Sequence, residues 1–145
     1  MIHTKISAAI RILRPELALS AGVCVVAGQV LTLGRLPAWQ LALAGFICGF
    51  ALSASALVLN DLFDLEVDKV NQPDRPLPSG AITPAEVIGL DVLVSLAGLA
   101  AAASISMSAL AIAVVFWLIG IAYNWRGKQT GLPGNLMVSA SVAVT

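Results

Sequence analysis

The sequence predicts an all-α integral membrane protein with several membrane-spanning helices. Of its 145 residues, 59% are hydrophobic and only 11% are charged, whereas a soluble globular domain carries roughly 25% charged residues. Strongly apolar stretches recur along the chain, each close to the roughly 20 residues that a helix needs to cross a bilayer core. The net charge is zero, so the composition gives no reason to expect nucleic acid as a partner.

Hydropathy divides the chain into four full spans and the start of a fifth. The predicted spans are residues 15–33, 37–60, 84–103, 107–125 and 133–145. Pro37, Pro84 and Pro133 stand at the starts of three spans, where a missing N–H group is tolerated. The fifth span is still apolar at its last residue. We therefore expect a single transmembrane domain over residues 1–145 that is the N-terminal portion of a longer, truncated bundle.

Lysine and arginine are unevenly distributed among the loops, and this predicts the orientation. Three basic residues precede the first span. Lys69 and Arg75 follow the second span, and Arg126 and Lys128 follow the fourth. Only Arg35 lies on the opposite side of the membrane. We expect a multi-pass protein of the plasma membrane whose segment after the second span faces the cytoplasm.

A cluster of carboxylates ends the second span. Five of the eight acidic residues fall within residues 61–74. At about 100° per residue, four polar side chains share one helical arc of about 100°; they are Asn60, Asp61, Asp64 and Asp68. Glu66 lies well outside this arc. Like charges on one stripe repel, so a cation is expected beside them, and oxygen ligands of this kind suit Mg²⁺. The alternative is a solvated helix end at the headgroup level.

The segment that follows, N-Q-P-D-R-P-L-P-S-G, contains three prolines within residues 71–80. It is therefore predicted to be a loop, and it holds Arg75 close to the acidic helix end. An arginine beside a carboxylate stripe suits a metal-bridged phosphate, because the guanidinium can fork onto phosphate oxygens. Two alternatives stay open for Arg75: an ion pair with Asp74 or Asp68, and a topology charge at the membrane surface.

The acidic helix end and the loop together resemble the first signature of the UbiA family of intramembrane prenyltransferases. That signature is N-D-x-x-D-x-x-x-D, followed by N-x-P-x-R-P-x-x-x-G. Two further stretches are similar to the family. Residues 11–16, R-I-L-R-P-E, resemble the Arg-Pro that opens its first helix. Residues 123–135 resemble its Tyr-x-x-x-x-Lys segment and the Gly-Asn that begins the next helix. The family's second acidic motif, D-x-x-x-D, belongs to the half beyond this chain.

The resemblance implies a helix bundle of UbiA type and an Mg²⁺-dependent transferase. Such an enzyme moves a prenyl group from a prenyl diphosphate to a lipophilic acceptor in the membrane, through an allylic carbocation. It also implies the site. The first Mg²⁺–diphosphate site would be Asn60, Asp61, Asp64 and Asp68, with the three aspartates catalytic. Arg75 and Lys128 would contact phosphate oxygens, and Tyr123 and Asn124 would line the same cavity. From the residues alone, the favoured interpretation of Tyr123 is an interfacial aromatic, and that of Lys128 is a topology charge.

The resemblance also implies the identity of the acceptor substrate. The proline-rich loop is similar to that of geranylgeranylglyceryl phosphate geranylgeranyltransferases and of chlorophyll synthases, and the short segment before Arg14 is closer to the former. We therefore expect geranylgeranyl diphosphate as the donor and geranylgeranylglyceryl phosphate as the acceptor, in ether-lipid synthesis. A quinone-precursor ring or a chlorophyllide is the alternative acceptor. A cation-binding membrane transporter is the alternative from another class.

Three features are expected to be structural. Gly45 and Gly49 form a G-x-x-x-G, which predicts close packing of the second span on a neighbouring helix of the same protein. Trp39, Trp117 and Trp125 lie near span ends and are expected to anchor the spans at the membrane interface. Asp91, near the start of the third span, is expected at the headgroup level, with a cavity-facing position as the alternative.

Overall fold

The computed structural model describes residues 2–126, together with residues 130, 131, 136 and 139. These residues form six helices: α1 (Ile2–Leu13), α2 (Pro15–Leu33), α3 (Trp39–Phe63), α4 (Leu65–Asn71), α5 (Pro84–Ile105) and α6 (Met107–Trp125). Lys128 and nearly all of the predicted fifth span, residues 133–145, lie outside the described residues.

Four of the helices, α2, α3, α5 and α6, are long and apolar enough to cross a membrane. The shortest of them have 19 residues and so measure about 28 Å, close to the roughly 30 Å of a hydrocarbon core. An α-helix makes its backbone hydrogen bonds within its own segment, which is what a lipid environment requires. The prediction of an all-α, multi-span membrane protein is therefore confirmed.

The longest helix, α3, is the centre of the bundle and packs against α2, α5 and α6. Its contact with α2 depends on glycine. A Cβ atom on Gly49 would lie 2.8 Å from Val25 Cγ2 and 2.9 Å from the carbonyl oxygen of Ala21, and one on Gly45 would collide with Gln29. Small residues allow two helix backbones to approach closely in a membrane. The G-x-x-x-G therefore packs α3 against a helix of the same chain, as predicted.

The helix ends are defined by local sequence. Thr83 caps α5 by accepting a hydrogen bond from the Glu86 amide, and the Glu86 carboxylate accepts one from the Thr83 amide, which makes a capping box. Ser106 alone connects α5 to α6, and its hydroxyl accepts a hydrogen bond from the Ala109 amide at 3.0 Å. This one-residue junction makes α5 and α6 an antiparallel hairpin.

The first helix and the proline-rich loop are held to the bundle by one apolar cluster. Its buried members are Ala8, Ile12, Val58, Leu77, Ile82 and Val87. They come from α1, α3, the loop and α5, so burying them brings four segments together. Full burial of a Val, Leu or Ile side chain stabilises the folded state by about 1.5–3 kcal/mol. The cluster therefore fixes the loop against the C-terminal end of α3 and the N-terminal end of α5.

The acidic segment is divided between two helices. The sequence predicts one continuous helical stripe, but α3 ends at Phe63 and α4 begins at Leu65. Asp64 stands between them with φ −92° and ψ 7°. Hydrogen bonds from the Asp64 amide to the Asn60 carbonyl (2.9 Å) and from the Asp68 amide to the Asp64 carbonyl (2.8 Å) continue the helical pattern across the junction.

Candidate active site

Two aspartates of the acidic segment are buried in the structure. Asp61, in the last turn of α3, is 3% exposed, and Asp68, in the middle of α4, is 7% exposed. An ionised carboxylate is strongly destabilised away from water unless a cation or several hydrogen-bond donors compensate it. The side chains that compensate Asp61 and Asp68 therefore define the chemistry of this site.

Arg75 compensates both aspartates from the proline-rich loop. Its Nη1 lies 2.6 Å from Asp68 Oδ2 and 3.3 Å from Asp61 Oδ1. The loop backbone positions it: the Arg75 amide donates to the Gln72 carbonyl at 3.1 Å, and its carbonyl accepts from the Ser79 amide at 3.0 Å. Of the alternatives that the sequence left open, the ion pair with Asp68 is present. The phosphate contact of Arg75 stays a prediction.

Arg14 is the functional candidate that the sequence reasoning did not place in the site. Its Nη2 donates a hydrogen bond to Asp61 Oδ1, the oxygen that Arg75 also approaches. Arg14 separates α1 from α2 and has φ 46° and ψ 62°; it is the one non-glycine residue with positive φ among those described. That conformation costs an L-residue about 1–2 kcal/mol.

A strained residue with a buried charge partner is typical of functional sites. The available sequence signal was the Arg-Pro pair at residues 14 and 15. A proline at the first helical position is ordinary, and it says nothing about a partner 47 residues away.

The other members of the predicted stripe differ in exposure. Asn60 and Asp64 are half-buried, whereas Glu66 is exposed and pairs with Lys69 at 2.6 Å. Glu66 therefore lies away from the two buried aspartates, as the helical arc predicts. The structure brings Asp61 and Asp68 onto one guanidinium and leaves Asp64 at the helix junction.

The described residues assemble only part of the predicted metal site. Among the residues that the structure describes, no three His, Cys, Asp or Glu side chains converge as a metal-binding group. Arg75 lies between Asp61 and Asp68, where a metal bridging them would compete with it. The donor chemistry nevertheless suits Mg²⁺, which proteins usually hold with one or two carboxylates while substrate phosphates and water complete the shell. The Mg²⁺ site at Asn60, Asp61, Asp64 and Asp68 stays a prediction.

Of the remaining predicted residues, Asn124 is buried and Tyr123 is half-buried at the end of α6. Asn124 Nδ2 donates to the Gly120 carbonyl at 3.1 Å and to the Ala56 carbonyl on α3 at 3.5 Å. Its Oδ1 has no hydrogen-bond partner in the described part of the chain, although buried polar atoms are normally paired. The contact with α3 lies one helical turn from Asn60. The cavity-lining roles of Tyr123 and Asn124 stay predictions.

A polar cluster inside the bundle corrects one sequence expectation. Trp117 is not an interfacial anchor: its indole N–H donates to Ser95 Oγ at 3.1 Å and to Ser55 Oγ at 3.3 Å. Ser95 in turn donates to Ser55 at 2.8 Å. These three side chains come from α3, α5 and α6 and hydrogen-bond to one another inside the bundle. Asp91 is buried one turn before Ser95 on α5, and its Oδ1 has no hydrogen-bond partner among the described residues; its expected place at the headgroup level stays a prediction.

Comparison with known proteins agrees with this fold and motif. Residues 21–145 match the sequence profile of the UbiA prenyltransferase family. Digeranylgeranylglyceryl phosphate synthase of Thermococcus kodakarensis is 32% identical over 136 residues, which are 94% of this chain and 49% of that protein. The protein of the same name from Methanoculleus marisnigri is 36% identical over 134 residues, 92% of this chain and 47% of its own length.

A solved structure, reported in a study of digeranylgeranylglyceryl phosphate synthase in membranes, superimposes with a TM-score of 0.89 at 28% identity. The superposition covers 92% of this chain and 48% of the other. The chain thus spans about half the length of the curated relatives that it matches. The acidic signature, the four apolar helices and the family profile all agree, and the chain belongs to the UbiA prenyltransferase family.

Proposed function

We propose that this chain provides the first acidic half-site of an intramembrane prenyltransferase. The donor would be a prenyl diphosphate, geranylgeranyl diphosphate in our proposal, and the acceptor would be geranylgeranylglyceryl phosphate. One observation carries the proposal: two buried aspartates of the N-D-x-x-D-x-x-x-D segment converge on Arg75, and Arg14 joins them at Asp61. Acids and arginines in contact form a site that can hold a metal-bound diphosphate from both sides.

The chain's own residues would then act by exchanging partners. When a diphosphate enters, Arg75 and Arg14 can move donors from the carboxylates to phosphate oxygens. Asp61 and Asp68, released from the guanidinium groups, become available to Mg²⁺, with Asn60 and Asp64 as the further oxygen ligands. Mg²⁺, when bound, would compensate the negative charge that builds up on the departing diphosphate. Lys128 would be an additional phosphate contact from the segment after α6.

The family resemblance implies the reaction that this arrangement would serve. The C–O bond of the prenyl diphosphate breaks, and its electron pair leaves with the diphosphate. The allylic carbocation would then be attacked by a hydroxyl oxygen of the acceptor, and the hydroxyl proton would pass to the departed diphosphate, which leaves a neutral ether linkage. Donors already positioned around the diphosphate stabilise the charge as it develops. The apolar surfaces of α2, α3, α5 and α6 would hold the isoprenoid tail and keep water away from the cation.

The choice of acceptor is supported by the relatives, which are named digeranylgeranylglyceryl phosphate synthases. It is also supported by the form of the proline-rich loop. We propose a plasma-membrane location with the acidic site on the cytoplasmic side. The supporting observation is that all the basic residues except Arg35 flank that side of the predicted spans.

The decisive experiment uses the complete enzyme, meaning this chain together with the second half that the relatives possess. Asp61→Asn and Asp68→Asn should each abolish transfer of a labelled geranylgeranyl group to geranylgeranylglyceryl phosphate. Glu66→Gln is the matched control, because it removes an exposed carboxylate from the same segment. A panel of phosphorylated, aromatic and porphyrin acceptors tests the acceptor. Equal activity losses in all three variants would contradict the proposed site, and transfer only to an aromatic ring or chlorophyllide would replace the proposed acceptor.

A further inference from the structure

A second cationic site shares Arg75 with the buried aspartates. A cavity of about 300 Å³ opens between α1, the end of α4 and the proline-rich loop, at the lower end of the size range of ligand pockets. Its lining residues are Arg11, Asn71, Gln72, Pro73, Asp74 and Arg75. We refer to this cavity as the Arg11 pocket.

The charge of Arg11 is not compensated by a carboxylate. Its Nη2 donates one long hydrogen bond, to the carbonyl oxygen of Asp74 at 3.5 Å. Throughout the described ranges, no Asp or Glu oxygen lies within ion-pair distance of Arg11, whereas Arg14 and Arg75 are both engaged with Asp61. A guanidinium group has five N–H donors, so Arg11 keeps most of its donors for a ligand.

Arg75 makes the Arg11 pocket adjacent to the diphosphate half-site. Its Nη1 contacts Asp61 and Asp68, and the same side chain also lines the pocket. The side-chain amides of Asn71 and Gln72 add neutral donors to the lining. Asp74 contributes the one acidic side chain of this lining, against the guanidinium groups of Arg11 and Arg75. The lining thus favours a small, multiply charged anion.

We propose that the Arg11 pocket binds the phosphate group of the acceptor lipid, an inference that rests on the proposed function. In geranylgeranylglyceryl phosphate the reacting hydroxyl is on the carbon next to the one that bears the phosphate. The acceptor phosphate must therefore be held within a few bond lengths of the breaking C–O bond, which is where a pocket sharing Arg75 with the diphosphate site lies. Arginine binds phosphate oxygens in pairs through its planar fork. A quinone-precursor ring or a chlorophyllide has no phosphate to place there.

The test compares two charge-removing variants of α1 in the complete enzyme. Arg11→Gln removes the pocket's unpaired cation, and Lys5→Gln removes an exposed cation of the same helix that pairs with Glu86 outside the pocket. Both side chains are exposed, so folding should be unaffected, and thermal melting checks this. For Arg11→Gln we expect KM for geranylgeranylglyceryl phosphate to rise about ten-fold or more, the usual effect of losing a charged hydrogen bond. KM for geranylgeranyl diphosphate should stay at the parental value, and Arg11→Lys should restore part of the acceptor affinity.

Inhibition experiments distinguish a lipid headgroup from free phosphate. If the pocket recognises the phosphoglycerol headgroup, glycerol phosphate should compete with the acceptor in the parent enzyme and less in Arg11→Gln, while inorganic phosphate at the same concentration competes weakly. Equal competition by inorganic phosphate and glycerol phosphate would overturn headgroup recognition. The pocket would be overturned if the KM for the acceptor were unchanged in Arg11→Gln, or if it rose equally in Lys5→Gln. It would also be overturned if Arg11→Gln raised the KM for geranylgeranyl diphosphate as much as the KM for the acceptor. Each of these results would leave the proposed function in place. A parent enzyme that transfers to no phosphorylated acceptor would overturn both.

Discussion

Replacing Arg75 with lysine distinguishes phosphate binding from a role as a simple positive charge. Lysine keeps the charge but lacks the planar guanidinium group that can donate to two phosphate oxygens. In the structure one guanidinium nitrogen serves two buried carboxylates, at 2.6 Å and 3.3 Å. A lysine ammonium is a point donor that cannot match two oxygens of one phosphate. Losing one charged hydrogen bond costs about 1.5–3 kcal/mol, and each 1.36 kcal/mol of barrier is a factor of ten in rate. Arg75→Lys should therefore lower turnover by roughly ten-fold to a hundred-fold.

The assay is turnover of the complete enzyme at saturating Mg²⁺, with protease accessibility of the loop as the check on topology. Because the positive-inside effect depends on charge and not on shape, the variant should keep its orientation and expression level. Arg126→Lys is the matched control: Arg126 is exposed, stacks over Trp125 at 5.3 Å, and forms none of the ion pairs recorded for Asp61 and Asp68. If Arg75→Lys turns over at the parental rate, the planar guanidinium is not needed to bind phosphate, and Arg75 serves only as the cation that pairs with Asp61 and Asp68.

Three further outcomes are expected. Arg14→Gly should remove the backbone strain of the left-handed conformation, about 1–2 kcal/mol. It should nevertheless lower the rate of prenyl transfer, because Asp61 loses a charged partner. Parental activity in this variant would mean that the Arg14–Asp61 contact is only structural. Gly49→Leu should lower the melting temperature in detergent, since overpacking a tight contact costs about 1–3 kcal/mol, whereas Gly89→Leu, with nothing within 4 Å of its Cβ position, should not. Residues 1–145 alone should not transfer a labelled prenyl group, because they contain one acidic motif, and Mg²⁺-dependent transfer by this chain would refute that reasoning.

The sequence predicts those parts of the molecule that depend on local pattern. Hydropathy identifies the four apolar helices, because a bilayer imposes a length and an apolar composition on each of them. The G-x-x-x-G contact is predictable for a similar reason: two glycines on one face leave room for a neighbouring backbone, and α2 is the neighbour. The helical arc likewise separates the exposed Glu66 from the buried Asp61 and Asp68, since a side chain's direction follows from its position in the turn.

The parts that could not be predicted depend on long-range contacts. Nothing in the sequence near Arg14 indicates that it reaches Asp61, because the pairing needs α1 to fold against the loop through the apolar cluster. Trp117 was expected at the interface on the strength of its residue type, but two serines on other helices offer its N–H a partner inside the bundle. The burial of Asp91 likewise depends on the packing of α5 on α3, which its distance from the helix start does not reveal. Arg14 and Trp117 each take the hydrogen-bond partner that the assembled helices provide.

The positions of Arg14 and Arg75 also explain how two buried carboxylates, those of Asp61 and Asp68, can lie side by side before a substrate binds. Two ionised aspartates that share a buried site would repel each other and lose most of their hydration. Arg75 bridges them, and Arg14 adds a second positive charge at Asp61. Because those same guanidinium groups are good phosphate ligands, a metal-bound diphosphate offers the aspartates a metal and the arginines an anion at once. The resting ion pairs and the proposed bound state therefore use the same groups with their partners exchanged, so neither state leaves a charge buried without a partner.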